Sequence, residues 1–297
     1  MTANLGGLVL TIALSAAAGP ANDKAAATTP AAAADTKTTT TTAPATATAP
    51  ESGLGELVTD RPDFTESTEV VGKGVAQLET GIAYEGDGED TARTRGLTTP
   101  QALLRIGFSQ RAELRLGTDG FVSETAGVGA GAVRTSGGSD FEVAAKFKLA
   151  TEKQFGMDLA VIPIVSLPVG SSDFTSGGVD PTVKIAMARA LPAGFDLSGN
   201  VNVSSLTEGD ARFTQTAVSA SFGHDLVKGW GGYWEVYGFS SVEKGGTAAW
   251  TFDTGISHLV GPNRQVDMTV GYGLTDAAPN WFFSAGFSLR GAFRRPR

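Results

Sequence analysis

The densest set of chemically capable side chains is Asp60-Arg61-Pro62-Asp63, followed by Glu66 and Glu69. Carboxylates grouped around one guanidinium suit three tasks. They bind a divalent cation, line or gate a polar passage, or pin a turn through local hydrogen bonds and an Arg–carboxylate pair. The acids recur every three residues, without the alternating ligand pattern of a known calcium loop, so no metal site is predicted. Pro62 lacks a backbone donor, which keeps the stretch out of a central strand. Two readings stay open: a turn that anchors the chain ahead of its first strand, and a segment tucked into a pore as lining or plug.

Covalent chemistry has little to work with. Cysteine is absent, which excludes a thiol nucleophile and cysteine-ligated metal. A serine nucleophile needs a histidine base within hydrogen-bond reach, and only His224 and His258 exist. They form no His-x-x-x-His pair for a metal, and both fall beside predicted short turns. A lipid hydrolase is therefore the weakest functional reading, and neither catalytic residues, nor a cofactor, nor a metal is expected. The string Gly127-Val128-Gly129-Ala130-Gly131 lies in a predicted loop with no helix behind it, which argues against nucleotide binding. The net charge of −8, from 31 acidic and 23 basic residues with no basic stripe, argues against nucleic acid as a partner.

The elements that would position the charges are strands. Beyond residue 74 apolar and polar residues alternate in segments of strand length. Phe141, Val143, Ala145, Phe147 and Leu149 share one face, opposite Glu142, Ala144, Lys146 and Lys148. Val266, Met268, Val270 and Tyr272 oppose Asp267, Thr269, Gly271 and Gly273 in the same way. Twelve such segments are predicted, at 75–85, 100–108, 111–122, 139–150, 155–168, 179–190, 194–205, 211–223, 230–241, 248–258, 264–274 and 280–290. Their lengths suit tilted membrane strands, which need about 9–11 residues. No apolar run is long enough for a helical membrane span.

Two features separate a lipid-embedded barrel from a soluble sandwich. Connections after even-numbered segments are short, whereas those at 85–99, 123–138 and 169–178 are long, as in an outer-membrane barrel with both termini in the periplasm. Charged residues also sit in mid-strand, where a hydrated lumen would take them. On the inferred inner face lie the acids Glu79, Glu85, Glu113, Glu142, Asp158, Asp196, Glu235, Asp253 and Asp267. The bases there are Arg105, Arg115, Lys146, Lys148, Lys184 and Arg290. Nine acids against six bases predict a cation-leaning lumen if it is open, or a braced interior if neighbouring charges pair. Tyr84, Trp230, Trp234, Trp250, Tyr272 and Trp281 fall near strand ends, as interfacial girdles do.

The N-terminus reads as address and tether. Residues 1–20 hold an apolar run from Leu5 to Ala18 ending in Ala16-Ala17-Ala18, which fits a signal peptide, although Met1-Thr2-Ala3-Asn4 has no basic residue. Residues 21–53 are almost only Ala, Thr and Pro up to Pro50, a composition that cannot bury a core and reads as a disordered linker. The barrel domain is assigned to 54–297.

The block Thr59-Asp60-Arg61-Pro62-Asp63-Phe64-Thr65-Glu66-Ser67, then Gln77-Leu78-Glu79-Thr80-Gly81, resembles a family of bacterial outer-membrane proteins. That family is labelled a transporter of the phenol-degradation meta-pathway (the MetA-pathway family). The resemblance continues at Leu167-Pro168-Val169-Gly170-Ser171 and Glu235-Val236-Tyr237-Gly238. It closes with Asp253-Thr254-Gly255, Pro262 to Asp267 and Gly271-Tyr272-Gly273-Leu274, covering roughly 57–290. It implies an all-β, antiparallel outer-membrane barrel that passes small molecules, hydrophobic or aromatic ones among them. The expected partners are outer-membrane lipid and a small solute. The pore-lining or plug candidates are Asp60, Arg61, Asp63, Glu66, Glu79, Arg105, Glu113, Arg115, Glu142, Lys146, Lys184, Glu235, Asp253 and Asp267. The alternative function is a closed structural or surface-interaction barrel whose long loops bind a partner.

Overall fold

The computed structural model describes residues 54–89 and 92–293. The proposed signal peptide and linker lie outside the described residues. From Val75 onward the chain is β1 (Val75–Asp87), β2 (Thr94–Gly107), β3 (Ala112–Thr118), β4 (Phe121–Ala126), β5 (Val133–Gly138), β6 (Phe141–Ala150) and β7 (Asp158–Leu167). It continues with β8 (Asp180–Ala190), β9 (Phe195–Glu208), β10 (Ala211–Val227), β11 (Trp230–Phe239), β12 (Ala249–Leu259), β13 (Arg264–Gly273) and β14 (Trp281–Ala292). A single helical turn, α1 (Glu152–Phe155), joins β6 to β7.

Every strand pairing is antiparallel, and β1 bonds both β14 and β2, which closes the sheet on itself. β3 and β4 are one stave interrupted at Asp119-Gly120, since β2 pairs with both in turn. β5 and β6 are likewise one stave, interrupted at Ser139-Asp140. Fourteen segments less two interruptions give a barrel of twelve staves. Closure satisfies the backbone donors and acceptors laterally, which a structure surrounded by lipid requires.

The burial pattern is that of a barrel turned inside out. Along β13 the apolar Val266, Met268, Val270 and Tyr272 are exposed on the outside, while Gln265, Asp267 and Thr269 are buried inside. β8 and β9 do the same, with Val183, Ile185, Val201 and Val203 outward and Lys184, Asn200, Asn202 and Ser204 inward. A period of two makes this sorting automatic once the register is set. Aromatic rings ring both ends of the outer face. Tyr84 packs on Trp281, and Phe252 on Tyr272, towards the long-loop end. Phe195, Phe222 and Trp234, with Trp230 stacked on His258, mark the short-turn end. The two girdles bracket an apolar band, as in proteins that sit in an outer membrane.

The strand plan differs from the sequence reading mainly at the long-loop end. β2 begins at Thr94, and β5 adds Val133–Gly138, so the expected loops at 85–99 and 123–138 shrink to 88–93 and 127–132. Only Gly209 and Asp210 link β9 to β10 on that same side. These extensions show no clean alternation because they project past the apolar band, where Arg95 and Arg134 are exposed. The loop at 168–179 covers the edge of β5 that β7 does not reach. Ser171 N donates to Gly138 O at 2.8 Å, and Gly138 N returns a 2.9 Å bond to Ser171 Oγ. Covering that edge removes a template for pairing with another chain.

Val201 faces outward near the middle of β9, so Val201→Arg is expected to destabilise the folded protein by about 2–4 kcal/mol. Urea refolding into lipid bilayers measures the loss, and unheated SDS migration, faster than that of the heated chain, reports that the barrel has closed.

Candidate functional site

Residues 54–74 precede β1 and lie inside the barrel. Arg290, near the end of β14, catches the segment at the short-turn end: its guanidinium donates to Glu56 O at 2.7 Å and also to Gly55 O. Gln77 Nε2 and Arg105 Nη1 then hold Val58 O at 2.9 and 3.2 Å. The chain runs inward to Phe64, turns, and comes back along β2 and β3. There Val71 N donates to Glu113 Oε2 at 2.8 Å, and Gly74 N to Gly107 O at 2.9 Å. This is a re-entrant loop, tied at each level to side chains that strand alternation aims into the lumen.

Asp60 occupies the centre. One oxygen, Oδ2, accepts from Arg115 Nη1 at 2.5 Å and from Lys146 Nζ at 2.9 Å, with Arg105 Nη1 at 3.3 Å. The other, Oδ1, accepts from Lys146 Nζ at 2.9 Å and from the backbone N and Oγ of Ser67 at 2.8 and 2.7 Å. Arg105 and Lys146 are wholly buried. Arg105 also donates to Glu79 at 3.0 Å and to Glu113 at 2.8 Å, and Arg115 Nη1 donates to Glu113 at 3.1 Å. Glu66 bridges Arg115 Nη2 at 2.7 Å and Lys184 Nζ at 2.5 Å. Glu69 pairs with Lys148, and its backbone oxygen accepts from Arg105 Nη2 at 2.7 Å.

Burial opposes the charge on Asp60, yet Arg105, Lys146 and Arg115 outweigh it and hold the carboxyl well below the usual range. Glu66 is treated alike: Arg115 and Lys184 overcome burial and bring it down to about 2. Asp63 is the opposite case. Burial, with the charges of Glu235 and Asp253 added, pushes it well above the ordinary carboxylate value.

Arg61 does not pair with its sequence neighbours. Its Nη2 reaches Asp267 at 3.2 Å and Ser284 at 2.9 Å, and its Nη1 reaches Gln101 at 3.2 Å. The guanidinium lies over Gly81 and Gly286, which are in register on β1 and β14. A Cβ added at Gly81 would come 2.7 Å from Arg61 Cζ, so this seat exists only because the side chain is missing. At the innermost point Phe64 stacks on Tyr237, ring centroids 4.5 Å apart, and meets Phe239 edge-on at 5.4 Å. The cluster extends to Val242, Ala277 and Ala278 in the long loops. Glu235 accepts the backbone N of Phe64 at 2.6 Å and of Thr65 at 2.9 Å, and also bonds the Thr65 hydroxyl.

A family model described as "Putative MetA-pathway of phenol degradation" matches residues 59–291. The chain belongs to that family. The match begins at Thr59 rather than at β1, so the MetA-pathway unit includes the inserted segment as well as the staves. Among solved structures, an outer membrane channel from Pseudomonas putida F1 is similar at TM-score 0.53 and 13% identity, over 76% of this chain and 98% of that one. The NanC porin aligns at TM-score 0.46 and 8% identity, over 72% and 98% of the two chains. No curated protein matches the chain. The fold is that of an outer-membrane β-barrel.

Of the residues expected to face the lumen, Asp60, Glu66, Glu79, Arg105, Glu113, Arg115, Lys146 and Lys184 meet in one network. Arg61 and Asp267 form a separate pair, and Asp63 lies with Glu235 and Asp253. Glu142 lies beside Gly117 on the inner wall, outside the ion pairs. Sequence reasoning missed Phe64, Thr65, Gln101, and the glycine seats Gly81 and Gly286. Phe64 stood inside the conspicuous acidic block, but nothing local points to Tyr237 as its partner.

Asp60→Asn removes the shared countercharge of three buried bases and is expected to cost about 3–5 kcal/mol in a urea titration. Both Asp60 and Glu66 have folded values below the ordinary range, so their contribution is complete above about pH 4.5. It is lost as the pH falls towards about 2. Hydrogen exchange of residues 59–71, followed from pH 7 to pH 2, should show the segment loosening in that window before the staves do.

Proposed function

We propose that the protein is an outer-membrane channel for small solutes, with residues 54–74 as a plug that narrows the lumen. One observation carries the reading. Ahead of Gly74, whose backbone bonds Gly107, the inserted segment is held to the wall through side chains and joins no strand ladder, so it can shift without unzipping the wall. A barrel built only for support would gain more from an interior filled by its own side chains. The pore-lining and plug roles fall to Asp60, Arg61, Asp63 and Glu66 on the segment. On the wall they fall to Glu79, Arg105, Glu113, Arg115, Glu142, Lys146, Lys184, Glu235, Asp253 and Asp267.

Hydrophobic or aromatic solutes are the class the family description favours. An apolar stretch of inner wall, Ala144 with Ile162 and Ile164, supports it, because such residues would stabilise a weakly polar molecule in an otherwise charged lumen. Passage is passive or binding-assisted, without covalent chemistry. Both histidines support that. His224 Nδ1 is within 3.1 Å of Gly194 O and stacks on Phe195, and His258 Nδ1 is within 3.0 Å of Gly229 O and stacks on Trp230. Each is on the outward parity of its strand, away from the lumen serines.

The density of the Asp60 network favours a second reading, a closed structural barrel braced by ion pairs. Planar-bilayer conductance decides between them. Removing residues 54–71 should raise single-channel conductance several-fold over the full chain, and Arg115→Ala should raise it less. Silence from both proteins, each shown to be folded by heat-modifiable migration, would establish the closed barrel.

A further inference from the structure

The inner wall carries a second charged feature that the plug leaves uncompensated. Lateral register around the barrel runs from Glu235 on β11 to Asp253 on β12, then to Gly271 on β13 and Phe282 on β14. It continues from Phe282 to Glu85 on β1, to Gly96 on β2 and to Glu124 on β4. Residues directly opposed on antiparallel strands point to the same face. Four carboxyl groups and one phenyl ring therefore face the lumen along one hydrogen-bonded row, which climbs the wall because the strands of a barrel are tilted. Asp63, on the plug, lies close enough to Glu235 and Asp253 to feel both charges. The ring of Phe282 lies across Gly271, where an added Cβ would sit 2.6 Å from Phe282 Cζ and 2.8 Å from Asp253 Cβ.

The chain supplies this row with few partners. Glu235 is satisfied by the Phe64 and Thr65 backbone. Glu85 is 4% exposed, and neither of its oxygens has a hydrogen-bond partner among the described residues. Asp253 is 2% exposed, and its Oδ1 also lacks one. The charges acting on Glu85 come from Glu124, Asp87 and Asp119, all of them acids. The bases Arg105, Arg115, Lys146 and Lys184 are engaged by the plug and its neighbours, and Arg61 by Asp267. A buried carboxyl in this state either takes up a proton or stays ionised because something positive meets it, so a cation that enters here competes with a proton.

Two observations define what that is. Among the described residues no group of three carboxylates or histidines is arranged to hold a metal ion. The row instead presents an aromatic ring between Glu85 and Asp253, and Tyr237, stacked on Phe64, lies within the field of Asp253, Glu235 and Glu85. Carboxylates beside aromatic faces are the chemistry that recognises an ammonium group. We propose that the wall around Phe282 is a binding station for organic ammonium cations, the charge at the flanking Glu85 or Asp253 carboxylate and the apolar body against the ring. This refines the channel reading and rests on it for the cation's route, although the binding site itself does not need an open pore.

The test is calorimetric titration of benzyltrimethylammonium into the folded full-length protein in detergent at low salt, paired with reversal potentials in a potassium chloride gradient. Saturable binding is expected, weakened about tenfold or more by Glu85→Gln and by Asp253→Asn. The reversal potential should favour potassium and move towards zero in both variants. Should an acid variant fail to fold, Phe282→Leu keeps every charge and should still weaken binding. Absence of saturable binding, or equal affinity in the parent and all folded variants, overturns the proposal. Binding without conductance sustains the site and removes the channel reading, whereas conductance without binding does the reverse.

Discussion

The network of ion pairs inside this barrel is arranged around the carboxylate of Asp60, which is shared by three bases from three different strands. Arg105, Arg115 and Lys146 point inward because strand alternation gives them no other direction. Without a countercharge they would crowd three positive groups into a buried space, which is costly through both desolvation and mutual repulsion. Glu79 and Glu113 on the wall neutralise part of this, and Asp60 and Glu66 from the segment complete it. Stability of the barrel wall and docking of the segment are thus one interaction. In the proposed channel, sealing and bracing, which are rival readings of the sequence, are served by the same atoms.

The segment divides the lumen unequally. On the β2, β3, β6 and β8 side it lays acids against bases, and nearly every polar atom there is paired. On the β11 to β1 side its one base is Arg61, which meets Asp267, and Glu235 receives backbone N–H groups and the Thr65 hydroxyl. The first side is a lock of short, charge-assisted bonds, and such bonds set position more than they add net stability. The second side keeps a surplus of carboxyl groups over bases. In the proposed channel the surplus is what a passing solute meets, so selectivity follows from the wall the plug leaves uncovered.

Much of this architecture was legible in the sequence, for a physical reason. A stave in lipid must show apolar residues outward at every second position, and all twelve segments read from that period correspond to staves. The pattern failed where the requirement lapses. Thr94–Thr99 and Val133–Gly138 stand beyond the apolar band, need no greasy outer face, and so look like loop in the sequence. Inward charges were equally legible, since they are the exceptions to the period. Their pairings were not. Arg61 could have met Asp63 or Glu66 by proximity in sequence, yet its partner is Asp267, reached only because closure brings β13 and β14 next to β1. Contacts across the seam depend on how the staves stagger, and no local spacing encodes that.

The glycines show how closely the wall and the segment are fitted. Gly81 and Gly286 oppose each other across the β1–β14 seam, and together they leave a recess the width of a guanidinium. Gly271 makes a comparable recess for the Phe282 ring, which then lies between Asp253 and Glu85 in the register row. In a strand a glycine sacrifices packing and backbone entropy, so a row of them is sustained only where something else occupies the space. At the seam the occupant is Arg61 of the inserted segment, and further along the wall it is an aromatic ring beside Glu85 and Asp253. The same device therefore serves two ends: it seats the inserted segment at one place, and at another it shapes a surface that the chain itself leaves without a positive partner.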